Sequence, residues 1–264
     1  MTDDAMQHRR RRSFSGVSSV SRLRASAPRA ATIIYLELRD DIVSLRRKPL
    51  ELLSEKELAA QFDVSRTPIR EAILRLSDDG LVDIFPQSGT FVARIPRRAL
   101  YEAILIRKAL EETTVRLATE KATPPDLQLL EQNLADLSRY EKEGNHPAFH
   151  DTDTAFHHHI SKIAGFPGIW TTVQHVKVQL DRYRMLTLPQ EGRLARVVEE
   201  HGTIFEHIRA GNRDAAAAAM GQHLGQMLHE VDNMETMDPD YFIEDGDDQS
   251  MSSQQQQHGE FDEN

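Results

Sequence analysis

Apolar residues in the first hundred positions recur at the spacing of amphipathic helices. In residues 31–46 they fall three or four positions apart, at Ile33, Ile34, Leu38, Ile42 and Val43. A second helix is expected from the cap residue Ser54 to about Phe62, because "SEKE" places a glutamate three residues after a serine. The segment "SRTPIREAILRL" then opens a third helix, with Ser65 as its N-cap and Pro68 in its first turn.

After the third helix the pattern changes from helical to alternating. The stretches "LVDIF" and "TFVARI" alternate like short strands around "PQSG", which predicts a β-hairpin with Gly89 at its turn. Three helices followed by a hairpin describe a winged helix-turn-helix, whose recognition helix enters the major groove of DNA. Arg66 and Arg70 lie four residues apart on an exposed face of that helix. Arginines there can bond guanine, while cap residues such as Ser65 and the wing contact phosphate.

Beyond Pro96 the pattern is that of long helices separated by polar joints. Six helices are expected, at about residues 98–121, 125–143, 147–164, 168–187, 191–210 and 212–231. Short links between successive helices favour an antiparallel bundle. The predicted fold is therefore mostly α: an N-terminal winged helix-turn-helix with a small β-hairpin, followed by an all-α antiparallel helical bundle.

Charge divides the chain in the same place. Residues 1–100 carry 18 basic and 13 acidic side chains, whereas the rest of the chain carries 14 and 29. Only the first part is therefore suited to a polyanion. We expect a disordered basic arm at 1–30, a DNA-binding domain at 31–96, a helical ligand- and metal-binding domain at 97–231, and a disordered acidic, Gln-rich tail at 232–264.

The composition excludes several classes of protein. The chain has no cysteine, which excludes disulfides, thiolate zinc sites and a cysteine nucleophile. No apolar run approaches the roughly 18–20 residues that are needed to span a bilayer. We therefore expect a cytoplasmic protein without a membrane partner.

One segment, "FHDTDTAFHHHI", is far richer in potential metal ligands than the rest of the chain. On a helical wheel Asp153 lies close to the buried side, His150 and His157 flank one edge, and His159 flanks the other. His158 points to the opposite face. Burial alone leaves both His157 and His159 open. Pairing favours His157, because it stands four residues after an aspartate that also faces inward.

Two later histidines, His201 and His223, each lie within an apolar stripe of a predicted helix. A buried imidazole needs a partner, and for each histidine alone that partner is most simply a backbone carbonyl. Together with Asp153 and His157, however, they form a set that suits Zn²⁺ or Ni²⁺ with open positions for a ligand. A metal-dependent hydrolase or oxygenase is an alternative use of such a set.

The stretch "ELAAQFDVSRTPIREAILRLSDDGLVDIFPQSGTFV" closely resembles the DNA-binding domain of GntR-type bacterial transcription regulators. The resemblance implies that Arg66 and Arg70 contact bases and phosphates and that Thr67 bonds the DNA backbone. It also implies that the wing-tip Gly89 enters the minor groove. Lys56 stands where many members have arginine, which implies a phosphate contact.

The segments "YEAILIRKALEETTVRLAT", "DTAFHHHIS" and "EEHGTIFEHIRAGNRDAAAAAMGQHL" resemble the FCD-type ligand-binding domain of the FadR branch of this family. In metal-binding members of that branch, one aspartate and three histidines hold a divalent ion. The resemblance places Asp153, His157, His201 and His223 in those roles. It also implies that Arg107, in "IRKALE", binds the carboxylate of an effector.

Alternatives remain open at several of these positions. Arg107 is otherwise a surface arginine paired with Glu111. His175 and the Arg182–Tyr183–Arg184 segment are candidates to line the same cavity. The namesake of the branch senses acyl-CoA without a metal, so an acyl ligand is a further possibility.

The function expected from these observations is that of a metabolite-responsive transcription regulator, not an enzyme. We expect a repressor that binds a palindromic double-stranded operator as a homodimer and associates with the nucleoid. A small organic acid bound at the metal and Arg107 would favour another domain arrangement and weaken DNA binding.

Overall fold

The computed structural model describes residues 27–232 and 237–244. Most of the expected basic arm and acidic tail lies outside these residues. The expectation of disorder is wrong for residues 27–30, because the first helix, α1, spans Ala27–Val43. Ala30 packs in the hydrophobic core below this helix, so helical structure there buries apolar surface.

The DNA-binding half continues with two helices and two strands: α2 (Glu55–Phe62), α3 (Arg66–Asp78), β1 (Val82–Phe85) and β2 (Gly89–Val92). The strands form an antiparallel hairpin in which Val82 faces Val92 and Phe85 faces Gly89. Ser54 caps α2, since its side chain accepts a hydrogen bond from the backbone N–H of Glu57 at 3.3 Å. The predicted winged helix-turn-helix is confirmed.

The helical half contains α4 (Arg97–Lys121), α5 (Pro124–Glu143), α6 (His146–Ala164), α7 (Pro167–Val176), α8 (Val178–Thr187), α9 (Arg193–Arg209) and α10 (Arg213–Asp232). The predicted mostly helical fold is confirmed, but the single helix expected at 168–187 is wrong because it is interrupted at Lys177. The two pieces pack differently. Only Trp170 and Val173 of α7 are buried, whereas α8 is buried on all sides over residues 178–184.

Two main hydrophobic cores organise the molecule. One lies beneath the winged helix-turn-helix and the other lies inside the helical half. Helix α8 contributes to both, because Val178 packs in the first core while Leu180 and Tyr183 pack in the second. Helix α8 therefore lies where the two halves meet. None of the helices within the described ranges is long and apolar enough to cross a membrane.

A short C-terminal strand pairs with the segment that joins the two halves. Strand β3 (Ile95–Pro96) runs parallel to β4 (Phe242–Ile243), which follows a 3-10 turn at Pro239–Tyr241. The expectation of a disordered tail from residue 232 is thus wrong for residues 239–243. Phe242 explains this, because its ring is buried in the core of the helical half. An ion pair of 2.5 Å between Arg97 Nη1 and Glu244 Oε1 adds to the contact.

Candidate metal site and DNA-binding surface

The four residues expected to bind a metal meet inside the helical half, and we call them the Asp-His cluster. Asp153 and His157 stand one turn apart on α6, while His201 lies on α9 and His223 lies on α10. All four are buried, and one potential ligand atom from each lies within 4.8 Å of the others. The Nε2 atom of His201 is 3.4 Å from Oδ1 of Asp153 and 3.3 Å from Nε2 of His223.

The neighbouring histidines of α6 lie outside the cluster. His158 is exposed and stacks on Trp170 with 5.2 Å between ring centroids. His159 is partly exposed, and His150 is buried with Nε2 3.6 Å from Oδ1 of Asp181. The structure therefore places His157, and not His159, beside Asp153.

Three charged side chains contact the cluster, and of these the sequence had placed only Arg184 among the candidates for this cavity. The contacts are Arg184 Nη1 to Asp153 Oδ2 at 2.5 Å, Glu111 Oε2 to His157 Nδ1 at 2.5 Å, and Glu200 Oε2 to His223 Nδ1 at 2.6 Å. Glu111 was considered only as a surface partner of an arginine, and Glu200 was missed. Both signals were weak, because a charge next to a histidine stripe is usually a solvated residue.

The surroundings hold three members of the cluster in the protonation state that binds cations. Burial lowers the pKa of His201 well below its usual value and that of His223 to about 3. Burial opposes ionisation of Asp153, yet the guanidinium of Arg184 holds the pKa of this carboxyl well below its usual range. Near neutral pH the rings of His201 and His223 are therefore neutral and the carboxylate of Asp153 is ionised.

Four buried atoms of the cluster have no hydrogen-bond partner within the described part of the chain. They are Oδ1 of Asp153, both ring nitrogens of His157 and Nδ1 of His201. Buried polar atoms are normally satisfied, so each such atom requires an explanation. A carboxylate oxygen and an imidazole nitrogen are both ligands for Zn²⁺ and Ni²⁺. The residues present therefore fit a divalent transition-metal ion.

Arg107 lies beside the cluster and not at the surface. Its side chain is 2% exposed, and Nε donates to Oε1 of Glu111 at 2.6 Å. Glu111 in turn contacts His157, so the three side chains form a continuous chain of contacts. The Nη1 atom of Arg107 is buried and finds no hydrogen-bond acceptor among residues 27–232 and 237–244. The alternative of a solvated surface pair is therefore wrong.

Two other residues expected to line this cavity lie elsewhere. His175 is exposed and lines a cavity of about 460 Å³ between α1, α3 and α7. Arg182 is fully buried, but its guanidinium donates to the backbone oxygen of Ala93 and to the side chain of Gln179. These placements correct the sequence interpretation. Of the Arg182–Tyr183–Arg184 segment, Arg184 contacts the cluster, through Asp153.

The expected DNA contacts at the start of α3 share one exposed surface. Ser65, Arg66, Thr67 and Arg70 are all exposed. Ser65 occupies the N-cap position, but its side chain makes no capping hydrogen bond to the described residues and is available to other acceptors or donors. Arg70 is held by Glu55 of α2, with Nε 2.9 Å from Oε2. The start of α3 thus presents two guanidinium groups and two hydroxyls.

Lys56 and Gly89 flank this surface on α2 and on the wing. Lys56 is exposed. Gly89 begins β2 directly after the hairpin turn and has a φ of +118°, which side chains rarely adopt. A Cβ atom there would approach Cδ1 of Leu52 to 3.0 Å. The wing therefore requires glycine at this position for its shape alone.

Family models match both halves of the chain. Residues 30–92 match the model described as "Bacterial regulatory proteins, gntR family", and residues 100–226 match the model described as "FCD domain". The two matches fall on the winged helix-turn-helix and on the helical bundle. They cover the surface at the start of α3 and every member of the Asp-His cluster.

Proteins similar over most of the chain are described as transcription regulators. An uncharacterized HTH-type transcriptional regulator of Streptomyces ambofaciens is 34% identical over 80% of this chain and 89% of its own length. The HTH-type transcriptional repressor RspR of Escherichia coli is 32% identical over 80% of this chain and 92% of its own length. The solved structure of E. coli McbR/YncC shares the fold, with a TM-score of 0.67 at 22% identity over 77% of this chain and 97% of that one.

Proposed function

Since the chain belongs to the GntR family of bacterial transcription regulators and carries an FCD domain, we propose that it is a metabolite-responsive repressor of the FadR branch. Like its relatives, it is a transcription regulator and not an enzyme. Repression is supported by the similar protein RspR, which is described as a repressor. The protein binds a palindromic operator as a homodimer. Because its partner is DNA, we place it in the cytoplasm, associated with the nucleoid.

Operator recognition uses the exposed surface at the start of α3. Arg66 and Arg70 contact base edges and phosphates in the major groove, and Ser65 and Thr67 bond the backbone. Lys56 adds a phosphate contact. Arg70 must exchange its ion pair with Glu55 for DNA, which is inexpensive because exposed ion pairs contribute little. On the wing, Gly89 lets the backbone approach the minor groove.

Metal binding uses the Asp-His cluster, and the observation that carries it is the convergence of four buried ligand atoms within 4.8 Å. Asp153, His157, His201 and His223 hold the ion. Their nitrogen and carboxylate ligands favour Zn²⁺ or Ni²⁺. A bound ion supplies open coordination positions for a carboxylate. The free donor atoms of Asp153 and His157 support the same assignment.

The effector is a small organic acid bound beside the cluster. Arg107 is the residue to bind it, because its Nη1 atom is buried and unpaired within the described ranges. Arg107 pairs with the buried carboxylate of Glu111, which in turn contacts the imidazole of His157. Such surroundings favour a short carboxylate over an acyl chain. The acid binds more tightly to a domain arrangement that does not fit the operator. Its binding therefore weakens operator binding, by an amount set by this difference in affinity.

Metal content of protein purified without chelators tests the site. We expect about one Zn²⁺ or Ni²⁺ per chain, and its loss from a His157→Ala/His201→Ala variant. The matched control is His158→Ala, since His158 is exposed on the same helix. If the double variant retains the ion content of the wild type, the metal assignment is wrong.

Operator binding tests the regulatory part. Fluorescence anisotropy with a palindrome obtained by in vitro selection should show metal-loaded protein released by one member of a panel of short mono-, di- and tricarboxylates. Arg107→Met should bind the operator but lose this release. Release by acyl-CoA thioesters and by none of the short acids would instead establish the metal-free sensing alternative.

A further inference from the structure

Two glutamates stand behind two of the three imidazoles of the Asp-His cluster. Oε2 of Glu200 lies 2.6 Å from Nδ1 of His223 in hydrogen-bond geometry. Oε2 of Glu111 lies 2.5 Å from Nδ1 of His157, a close ionic contact that does not have the direction of a hydrogen bond. Both contacts involve Nδ1, so each ring keeps Nε2 for another partner. In His223 that atom lies inside the cluster, 3.3 Å from Nε2 of His201.

A neutral imidazole carries one N–H, and a carboxylate only accepts hydrogen bonds. A glutamate beside Nδ1 therefore favours the tautomer in which Nδ1 is protonated and Nε2 keeps its lone pair. We propose that Glu111 and Glu200 are positioning residues that orient His157 and His223 so that Nε2 of each ring faces the metal ion. This inference rests on the metal site of the proposed function.

The third imidazole is positioned in a different way. The ring of His201 stacks on Phe156, with 4.4 Å between centroids and 17° between planes. Its Nδ1 is buried and has no hydrogen-bond partner in the described residues. Apolar packing therefore holds this ring, while carboxylates hold the other two.

The two glutamates differ in what stands behind them. Glu111 is buried and accepts from Nε of Arg107, the residue assigned to the effector carboxylate. Glu200 is only partly buried, and its nearest cation is Arg196, with Nε 4.0 Å from Oε1. Glu111 thus links the effector site to His157, whereas Glu200 acts on His223 alone. Changing Glu111 should alter both metal affinity and the effect of the metal on effector binding.

Imidazole tautomers in the metal-free protein give the first test. Long-range ¹H–¹⁵N correlation spectra of histidine-labelled, chelator-treated wild type should show His157 and His223 protonated on Nδ1. Either ring found protonated on Nε2 overturns the role of its glutamate. This measurement does not depend on metal binding, so it stands even if the metal assignment fails.

Zn²⁺ affinity, measured by competition with a chromophoric chelator, gives the second test. Loss of such a partner typically weakens metal binding by about 10- to 100-fold, and we expect this for Glu111→Gln and Glu200→Gln. The controls are Glu112→Gln and Glu199→Gln, each one residue away and outside the cluster. Unchanged Zn²⁺ affinity in both test variants overturns the inference, whereas a wild type that binds no Zn²⁺ refutes the metal site itself.

The effect of Zn²⁺ on effector affinity distinguishes the roles of the two glutamates. The acid is the member of the carboxylate panel that releases the protein from its operator, and calorimetry measures its dissociation constant with and without saturating Zn²⁺. The ratio of these two dissociation constants should fall toward one in Glu111→Gln. In Glu200→Gln the ratio should stay at the wild-type value. Equal coupling in both variants and in the wild type overturns the link through Glu111. Circular dichroism confirms that each variant is folded.

Discussion

Arg182 and Arg184 stand two residues apart on α8 and contact different halves of the molecule. Nη1 of Arg184 donates to Oδ2 of Asp153 at 2.5 Å, while Nη2 of Arg182 donates to the backbone oxygen of Ala93 at 2.6 Å. Ala93 follows the second strand of the wing. A helix that is buried on all sides therefore connects the Asp-His cluster to the DNA-binding half, and the amide of Gln179 adds a second contact of this kind.

Replacing Arg182 by methionine should uncouple the two halves. The variant should keep its metal and bind the operator, but the effector should no longer weaken that binding. Its free energy of unfolding should fall by about 1–3 kcal/mol, because the carbonyl of Ala93 loses its buried partner. Urea denaturation and operator titrations with and without effector measure the two effects. Arg209→Met, at an exposed site on α9, is the control; an effector response of wild-type size in Arg182→Met would contradict the coupling role.

Arg66→Ala and Arg70→Ala should each weaken operator binding by about 1–3 kcal/mol, because a charged contact to a base or phosphate is lost. A base contact also predicts relaxed specificity at one position of each half-site. Glu55→Gln frees Arg70 from its ion pair and should leave affinity unchanged or increase it. Competition titrations against substituted operators measure all three, and wild-type affinity in both arginine variants would refute the assigned surface.

His150 should make stability depend on pH. Burial lowers its pKa to about 4, although the nearby carboxylate of Asp181 opposes this shift. The unfolded chain therefore binds a proton at a higher pH than the folded chain does. Above about pH 6.5 the residue does not reduce the free energy of unfolding. As the pH falls toward 4 this free energy decreases, and at pH 4.5 the decrease is about 2–3 kcal/mol. Lys177 and Arg184 also face this ring and add to the shift.

A His150→Gln variant isolates that contribution, because glutamine does not titrate. Urea denaturation at pH 7 and pH 4.5 should show a smaller loss of stability in the variant than in the wild type. His158→Gln, on the exposed face of the same helix, should behave as the wild type does. Identical pH dependence in all three proteins would show that His150 is not held neutral.

Phe242 should stabilise the junction between the two halves. Removing its buried ring in Phe242→Ala leaves a cavity and should cost about 3 kcal/mol. The backbone of Ile95 and Arg97 should also exchange its amide hydrogens faster, because β4 no longer pairs with β3. Calorimetry and hydrogen exchange measure these changes against Asp240→Ala, an exposed neighbour. Unchanged exchange at the joining segment would show that β4 does not stabilise it.

The proposed homodimer should depend on the exposed apolar side chains of α4. Leu105 is 56% exposed and Ile106 is 38% exposed, so an interface on this face of α4 would remove apolar surface from water. Leu105→Glu should place a charge in the interface and raise the dimer dissociation constant by at least about tenfold. Sedimentation velocity measures this, with Leu129→Glu on α5 as the matched control. A dimer that Leu105→Glu leaves intact would place the interface on another face.

Local patterns accounted for much of the fold. Apolar spacing located the three helices and the hairpin of the DNA-binding half, and the break at "GFPG" located the start of α7. The interruption at Lys177 was missed, because "HVKVQLD" contains no glycine or proline and is locally compatible with helix. Strand β4 was missed for a different reason. Its two residues lie in an acidic, polar stretch and become a strand only through contact with Ile95, some 150 positions earlier.

Local spacing was enough to indicate the candidate ligands of the site: one aspartate four residues before a histidine, and two further histidines on apolar stripes. Periodicity of 3.6 residues sets which side chains share a helix face, so the candidates could be chosen before any packing was known. Tertiary structure alone decided which charges surround them. Whether Glu111 reaches His157, or Arg182 reaches Ala93, depends on how helices rotate and pack against one another, and contacts between distant segments leave no periodic signal in the chain.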